Sequence, residues 1–333
     1  MYNIYPAAHN LPPEWNDFCK SNVYMQSEFL EFMEKVNPCG QKYYVLYAAN
    51  GDIRCCLMMF TQKQNLFKFK KGLNVKVKMN FIYLPLSVSN AGLVTSGSPA
   101  DLGEVLDDIK GFTVILSLPE NILIKDFSKG TYLPSCCMDI KWSSFEDYMA
   151  GLRANYRYRY NKALKLGRPL QKRILNDPSE FTPEMYRLYE QTFENSKYKL
   201  EKLSLEFFRN TISKTIVFNA DGAALAFVQL IENGKRLIFE FGGFDHARCH
   251  TYDLYINMLL EIVRYACENG FRYIDFGQTA EEAKLKLGGY LERKNLWLWH
   301  SNRWLRWIFQ KNTNMVAYRQ KEYCFNVFRD GNP

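Results

Sequence analysis

The sequence lacks the short motifs of several common enzyme classes. It has no Gly-rich phosphate loop, no GxSxG and no HExxH. Nucleotide hydrolysis, serine hydrolysis through a nucleophile elbow and zinc proteolysis therefore have no motif behind them. Its 9 cysteines include the adjacent pairs Cys55-Cys56 and Cys136-Cys137 but no CxxC and no regular spacing. A disulfide scaffold is not expected, and small buried thiols in a reducing cytosol are. No apolar run approaches the length of a membrane span. The opening MYNIYPAAHNLPPEW has neither the charged flank nor the apolar core of a secretory leader, so a cytoplasmic protein is expected. Histidine is scarce, with 4 in the chain. His246 and His250 form an HxxxH around Cys249, but the stretch reads as a loop and no companion cluster exists, so no metal site is expected.

Acidic residues are missing from two stretches. Arg153–Arg173 carries eight bases and no acid, and Lys63–Lys78 carries six lysines and no acid, against a net charge of +8 for the whole chain. The remainder is close to neutral, which points to an anionic partner rather than to general solubility. In LFKFKKGLNVKVKMN the lysines alternate with apolar residues, as in a half-exposed hairpin, where they also guard a sheet edge.

At 333 residues, with 47% hydrophobic and 23% charged, the chain is long enough for two cores. The most informative stretch is Thr215–Gly289. Asp221-Gly222 and Asn233-Gly234 divide three apolar runs, Thr215–Asn219, Ala223–Glu232 and Lys235–Phe244, which predicts an antiparallel meander. Thr251–Asn269 has helical apolar spacing, with a Thr N-cap and Gly270 at its end. The strand Arg272–Phe276 follows, so the helix is a crossover to a parallel neighbour. Upstream, Ser144–Lys165 reads as one long basic helix, Gln171–Leu175 as a strand, and Thr182–Asn195 and Leu205–Ser213 as helices. In the first half, Glu14–Ser21, Glu28–Val36 and Asp101–Ile109 read as helices. Tyr43–Ala48, Arg54–Phe60, the broken region Phe81–Val94 and Thr113–Leu118 read as strands. Both halves share an element order, which predicts an α+β fold (a mixed α/β layer) of two tandem modules, 1–141 and 142–333.

LRANYRYRYNKALK (Leu152–Lys165), LIFEFGGFD (Leu237–Asp245) and especially FGQTAEEAKLKLGG (Phe276–Gly289) resemble GNAT-like N-acyltransferases. The similarity is greatest to their tandem relatives, the Fem-type peptidoglycan aminoacyltransferases. The resemblance covers roughly the second half. It implies transfer of an acyl or aminoacyl group to an amine, in a cleft where the sheet splays, with a CoA ester or aminoacyl-tRNA as donor. A cell-wall or lipid-linked precursor is one acceptor class; a small amine or amino sugar acetylated from acyl-CoA is another. A third reading is a non-catalytic module that binds RNA or a precursor. GNAT enzymes hold the CoA pyrophosphate in a glycine-containing loop at the start of the long helix. Here the corresponding DHARCHTYDLY has no glycine, and a carboxylate at Asp253 would repel a pyrophosphate there.

Candidate site residues follow from these elements. Glu240 lies mid-strand among Leu237, Ile238, Phe239 and Phe241, where burial would raise its pKa into a useful range; a solvent-facing position is the other option. Asp253 is a second acid–base candidate and Asp275 a third, while Tyr290 could donate a proton. Gln278, Thr279 and Lys284 follow the parallel strand, at the end where open sheets bind ligands. Thr279 with Glu282 also reads as a capping box. Arg157 and Arg159, interleaved with Tyr156, Tyr158 and Tyr160, suit an anionic donor arm, or else the tyrosines pack inward and the arginines stay in water. In NLWLWHSNRWLRWIFQK, four tryptophans beside Arg303, Arg306 and Lys311 predict a final strand and helix packed on the core; a peripheral membrane patch is the alternative.

Overall fold

A computed structural model describes residues 1–70, 72–86, 89–196 and 202–329. Lys71 of the lysine-rich hairpin and Ser87-Val88 of the predicted strand region Phe81–Val94 lie outside the described residues. The chain divides into two compact units, 1–134 with 293–321, and 135–292 with 322–333.

The first unit opens with β1 (Tyr2–Tyr5), α1 (Glu14–Phe18), α2 (Ser27–Val36), β2 (Lys42–Tyr47) and β3 (Ile53–Asn65). It continues with β4 (Lys76–Ile82), β5 (Leu93–Thr95), α3 (Gly103–Leu106), β6 (Phe112–Pro119) and β7 (Ser128–Thr131). Of the lysine-rich stretch only the end from Lys76 is strand: β4 pairs antiparallel with β3 from Phe60↔Phe81 to Asn65↔Lys76, and Phe67–Lys70, expected as a strand, lie in the turn between them. Asp101–Ile109, expected to be helical throughout, keeps a single turn, Gly103–Leu106, and Gly111 (φ 84°) then leads the chain into β6.

The second unit begins with β8 (Ser135–Asp139), α4 (Phe145–Gly151), α5 (Ala154–Leu166), β9 (Gln171–Ile174), α6 (Pro183–Asn195) and α7 (Leu205–Asn210). The meander follows as β10 (Lys214–Ala220), β11 (Ala223–Asn233) and β12 (Arg236–Phe244). Then come α8 (Cys249–Tyr252), α9 (Leu254–Glu268), β13 (Tyr273–Asp275), α10 (Glu281–Leu285) and β14 (Tyr290–Glu292). The order across this sheet is β14-β8-β13-β12-β11-β10-β9, and the crossover through α9 does place β13 parallel to β12. The chain then returns to the first unit with β15 (Lys294–His300) and α11 (Arg303–Asn312). The first sheet therefore runs β1-β2-β3-β4-β6-β15-β7, with β5 on β3.

The structure differs from the sequence-based division near Lys141 in this last respect. β15 pairs antiparallel with both β6 and β7, so its hydrogen bonds tie residues 293–321 to the first unit. The expected single helix Ser144–Lys165 is also two helices. Leu152 and Arg153 are extended (ψ 146° and 153°), and Leu152 is buried against the core while Arg153 N donates to Val327 O.

The core of the second unit lies between its sheet and α4, α5 and α9, with Phe218, Leu225, Val228, Leu237, Met258, Ile262 and Ile274 all buried. The opposite face of the sheet carries α6 and α7, whose Phe207 and Phe208 meet Phe241 edge-on with centroids 5.5 and 5.9 Å apart. Helix α6 comes close because β12 offers Gly243 beneath it: a Cβ there would lie 2.5 Å from Tyr189 N and 2.6 Å from Leu188 C. Backbone atoms cannot swing aside as a side chain can, so Gly243→Ala is expected to destabilise the protein by about 3 kcal/mol. Urea unfolding of the two proteins checks it; an unchanged midpoint would show that α6 can retreat freely. All nine cysteines are free thiols, and six of them are buried.

Candidate functional site

Strands β12 and β13 stay together only briefly. They register as Arg236↔Tyr273, Leu237↔Ile274 and Ile238↔Asp275, and no further. Beyond this, Phe276 N donates to Cys136 O and Cys136 N donates to Gly277 O, so the chain after β13 follows β8 instead. Among the described residues, Phe239–Phe244 pair only with β11. The sheet thus parts at the carboxyl ends of two parallel strands, the place where open sheets leave room for a ligand.

At this parting β12 carries a bulge. Gln229 opposes Phe241 and Leu230 opposes Phe239, which leaves Glu240 as the extra residue. Strict alternation would put Glu240 and Phe241 on opposite faces, but a bulge re-aims one of them. Phe239 packs with the α9-side core, and a Cβ on Gly242 would meet Met258 on that same side. Phe241 meets α7, and Glu240 accepts a hydrogen bond from Thr211 Oγ1, just beyond α7, at 3.4 Å. Both residues therefore face α7.

Glu240 is 7% exposed, and its Oε1 has no hydrogen-bond partner among the described residues. Burial pushes its carboxyl up to about 8, partly opposed by the hydroxyls of Ser213 and Thr211. Ser213 Oγ donates to Thr211 Oγ1 at 3.2 Å, and nearby in β11 and β10 Gln229 Nε2 donates to Thr215 Oγ1 at 3.2 Å. Of the two environments open to Glu240 from sequence, the structure gives the buried one. Its hydroxyl partners were not foreseen; the signal was the TISKT segment feeding β10, which looks like an ordinary turn.

A second group follows β13. Gly277, Thr279 and Ala280 all have left-handed backbone, with φ of 71°, 62° and 49°. For threonine and alanine this conformation is strained, and such strain concentrates where the chain is shaped for a task. It also removes the expected capping box, since the N-cap of α10 is Ala280 and no side chain caps it. Lys284, 3% exposed, points back and donates from Nζ to Gln278 O at 2.9 Å. Burial pushes its pKa down, opposed by the neighbouring Cys136, Asp275 and Glu281. Tyr255, in the first turn of α9, packs on the α9 side of the sheet. Its ring lies 5.7 Å from Phe244 at the end of β12, and its buried hydroxyl, with pKa pushed up, faces Cys136.

The other predicted residues are engaged elsewhere. Asp253 does not enter the first turn of α9: the expected helix Thr251–Asn269 breaks there into α8 and α9, with Asp253 left-handed between them (φ 49°, ψ 47°), a conformation aspartate tolerates better than most residues. Its carboxylate takes both Nη atoms of Arg159, one at 3.1 Å. Arg157 Nη1 donates to Ala150 O and Leu152 O at 3.3 Å, closing the end of α4. Tyr160 is buried and Tyr156 half-buried, whereas Tyr158 is exposed. Asp275 pairs with Arg236 at 3.0 Å and accepts from Gly277 N. Tyr290 lies on edge strand β14, donating to Asp139 at 3.2 Å, with its pKa pushed up to about 12. Among the described residues no hydrogen bond or ion pair joins Glu240 to Lys284 or to Asp253. His246 stacks on Phe244, and no group of three or more His, Cys, Asp or Glu among the described residues could hold a metal ion.

A CoA pyrophosphate does not fit the start of α9. Residues 245–253, which precede it, contain no glycine, and the Asp253 carboxylate is paired with Arg159.

Residues 150–285 match the sequence model of the acetyltransferase (GNAT) domain family, a stretch that takes in the meander, the crossover and α10. No curated protein sequence matches the chain. Among solved structures it is similar to FemX, at 12% identity and a TM-score of 0.56 over 93% of this chain and 100% of that one. It is also similar to a conserved protein of unknown function from Bacteroides thetaiotaomicron, at 10% identity, TM-score 0.55, over 90% and 99%. A third is the C-terminal domain of a putative lysylphosphatidylglycerol synthetase from Agrobacterium fabrum, at 10% identity, TM-score 0.51, over 90% and 95%. Residues 150–285 thus match the GNAT domain, and the chain has the mixed α/β fold of these solved structures, with two mixed sheets flanked by helices.

Proposed function

We propose that the second unit transfers an acyl or aminoacyl group from an activated ester to an amine in the cytoplasm. The observation that carries this reading is Glu240, a buried carboxyl with a raised pKa, bulged out of β12 where that strand parts from β13. A carboxyl titrating near 8 can take a proton from an attacking ammonium or amine and pass it on to a leaving oxygen. The new bond is amine nitrogen to acyl carbon; the bond that breaks is acyl carbon to ester oxygen, which leaves with that proton. Gln278, Thr279 and Lys284 hold the donor end, with the buried amine of Lys284 placed for a carbonyl, carboxylate or phosphate oxygen. Arg157, at the start of α5, adds positive charge for an anionic donor, whereas the charge of Arg159 is met by Asp253. Tyr290 takes no step here, since its hydroxyl is spent on Asp139.

The poor fit of a CoA pyrophosphate at α9 favours an aminoacyl-tRNA donor, and with it a cell-wall or lipid-linked amine acceptor, over an acyl-CoA acetyltransferase of a small amine. The test is turnover and thermal shift of the purified chain with acetyl-CoA, a set of aminoacyl-tRNAs, and a lipid-linked or nucleotide-linked muropeptide. We expect stabilisation by charged tRNA and transfer to the muropeptide amine. Tight CoA binding with acetyl transfer would replace this donor by acyl-CoA. Binding of tRNA or muropeptide without turnover, undisturbed by Glu240→Gln, would make the unit a binding module.

A further inference from the structure

The segment 293–321 does two different things with its tryptophans. Trp297 and Trp299 in β15 are buried, as the sequence led us to expect. Trp304 and Trp307 in α11 are 76% and 50% exposed. Helix α11 packs on the first unit through Phe309, whose ring meets Phe112 at 5.4 Å, and Arg306 lies over Trp299 at 4.7 Å. The opposite stripe, Trp304, Trp307, Ile308 and Lys311, follows helical spacing and faces away from the fold. Its members support one another: the two indoles stand edge to face at 6.5 Å, and Lys311 Nζ sits 4.5 Å above Trp307. Leu305 flanks the stripe, Met315 follows α11, and both are exposed. Exposed apolar groups gathered on one helix face mark a contact surface.

Charge says what contacts it. Residues 293–321 hold seven bases and no acid. The β3–β4 hairpin, with six lysines and no acid over Lys63–Lys78, is tied to the same region: the Phe69 ring meets Tyr318 at 5.5 Å. Beyond Phe69 the hairpin shows Leu73 and Val75 to solvent between exposed lysines.

We propose that α11 and the β3–β4 hairpin form a docking surface for an anionic lipid bilayer. Trp304, Trp307 and Ile308 enter the boundary between headgroups and acyl chains, and the bases meet the headgroups. Indoles prefer that boundary, and a basic amphipathic helix lies in its plane. A second copy of the chain fits poorly, because a two-fold contact would bring seven bases against seven bases. Nucleic acid fits the bases and the indoles, but it would leave Leu305, Ile308 and Met315 in water, with no ring face on which to stack a base. The proposal is independent of the acyl-transfer reading and is tested without turnover.

The full chain is sedimented with large vesicles of phosphatidylcholine alone and with about 30% phosphatidylglycerol, at low and high salt. We expect at least about tenfold stronger binding to the anionic vesicles, weakened by salt, with a blue shift of tryptophan emission. Trp304→Ser with Trp307→Ser should lower binding about tenfold and abolish the blue shift, with Tm unchanged because neither side chain is buried. Arg303→Glu with Lys311→Glu should remove the preference for anionic lipid. Vesicle binding that is absent, or unchanged in both double variants, overturns the proposal. So does a dimer, or tRNA binding, that the tryptophan variant abolishes while vesicles fail to bind the wild type.

Discussion

Glu240→Gln should lower kcat/KM for acyl transfer at least about 100-fold and at the same time make the protein more stable at alkaline pH. The two effects have one cause. In the folded chain the Glu240 carboxyl titrates near 8, against 4.5 when free, because burial disfavours its charged form. A carboxyl whose folded pKa is raised contributes its stability fully below the unfolded value, and loses it as pH rises through the folded one. Between about 4.5 and 8 the folded protein holds a proton that the unfolded chain has released, so stability falls across that window, by up to about 5 kcal/mol in this limit. Glutamine has no proton to lose. Urea unfolding at pH 5, 7 and 9 should therefore give curves that nearly coincide at pH 5, with the variant ahead by several kcal/mol at pH 9. In the wild type, kcat/KM should rise through about pH 8 as the base is freed. Parallel stability profiles would mean that Glu240 is hydrated, and a pH-independent rate would remove it from the proton transfer.

Much of the fold around Glu240 was legible in the sequence, and the limits of that reading follow from local physics. The meander was readable because Asp-Gly and Asn-Gly fix hairpin turns whatever surrounds them; Asp221, Gly222 and Gly234 do take the left-handed backbone such turns need. The parallel crossover followed from a helix closed by Gly270 and a strand directly after it. What could not be read was anything set by a partner distant in sequence. The bulge at Glu240 depends on how β11 and β12 slip past each other, and only that slip turns the carboxylate toward Thr211. Thr279 resembled a helix cap because its spacing to Glu282 is right, yet the turn from β13 forces it into a backbone that cannot cap. The unbroken spacing of Ser144–Lys165 hid the interruption at Leu152, which a residue near the far end of the chain, Val327, holds open. Composition suggested that α11 would bury its tryptophans, but burial depends on which side of the helix the sheet takes, and the sheet took Phe309.

Lys284→Met supplies the converse test, because its pH signature has the opposite sign. The Lys284 amine is buried on a carbonyl, Gln278 O, and its pKa is pushed down by that burial. A group with a depressed folded pKa contributes its stability above the unfolded value, here 10.5, and loses it as pH falls through the folded one. Near neutral pH its burial therefore works against folding, and methionine, of similar length and with nothing to protonate, relieves that cost. The variant should be more stable than the wild type at pH 6 to 7, with the difference shrinking toward alkaline pH, whereas the Glu240→Gln difference grows in that direction. If Lys284 holds the donor, the same change should cut kcat/KM at least about 100-fold and abolish thermal stabilisation by the donor. Undiminished donor binding would assign Lys284 to bracing the turn at Thr279 and Ala280. A variant less stable at every pH would show that its amine is hydrated and charged in the fold. Because the two sites predict stability differences of opposite slope, one set of unfolding curves for the two variants separates a buried acid on β12 from a buried base after β13.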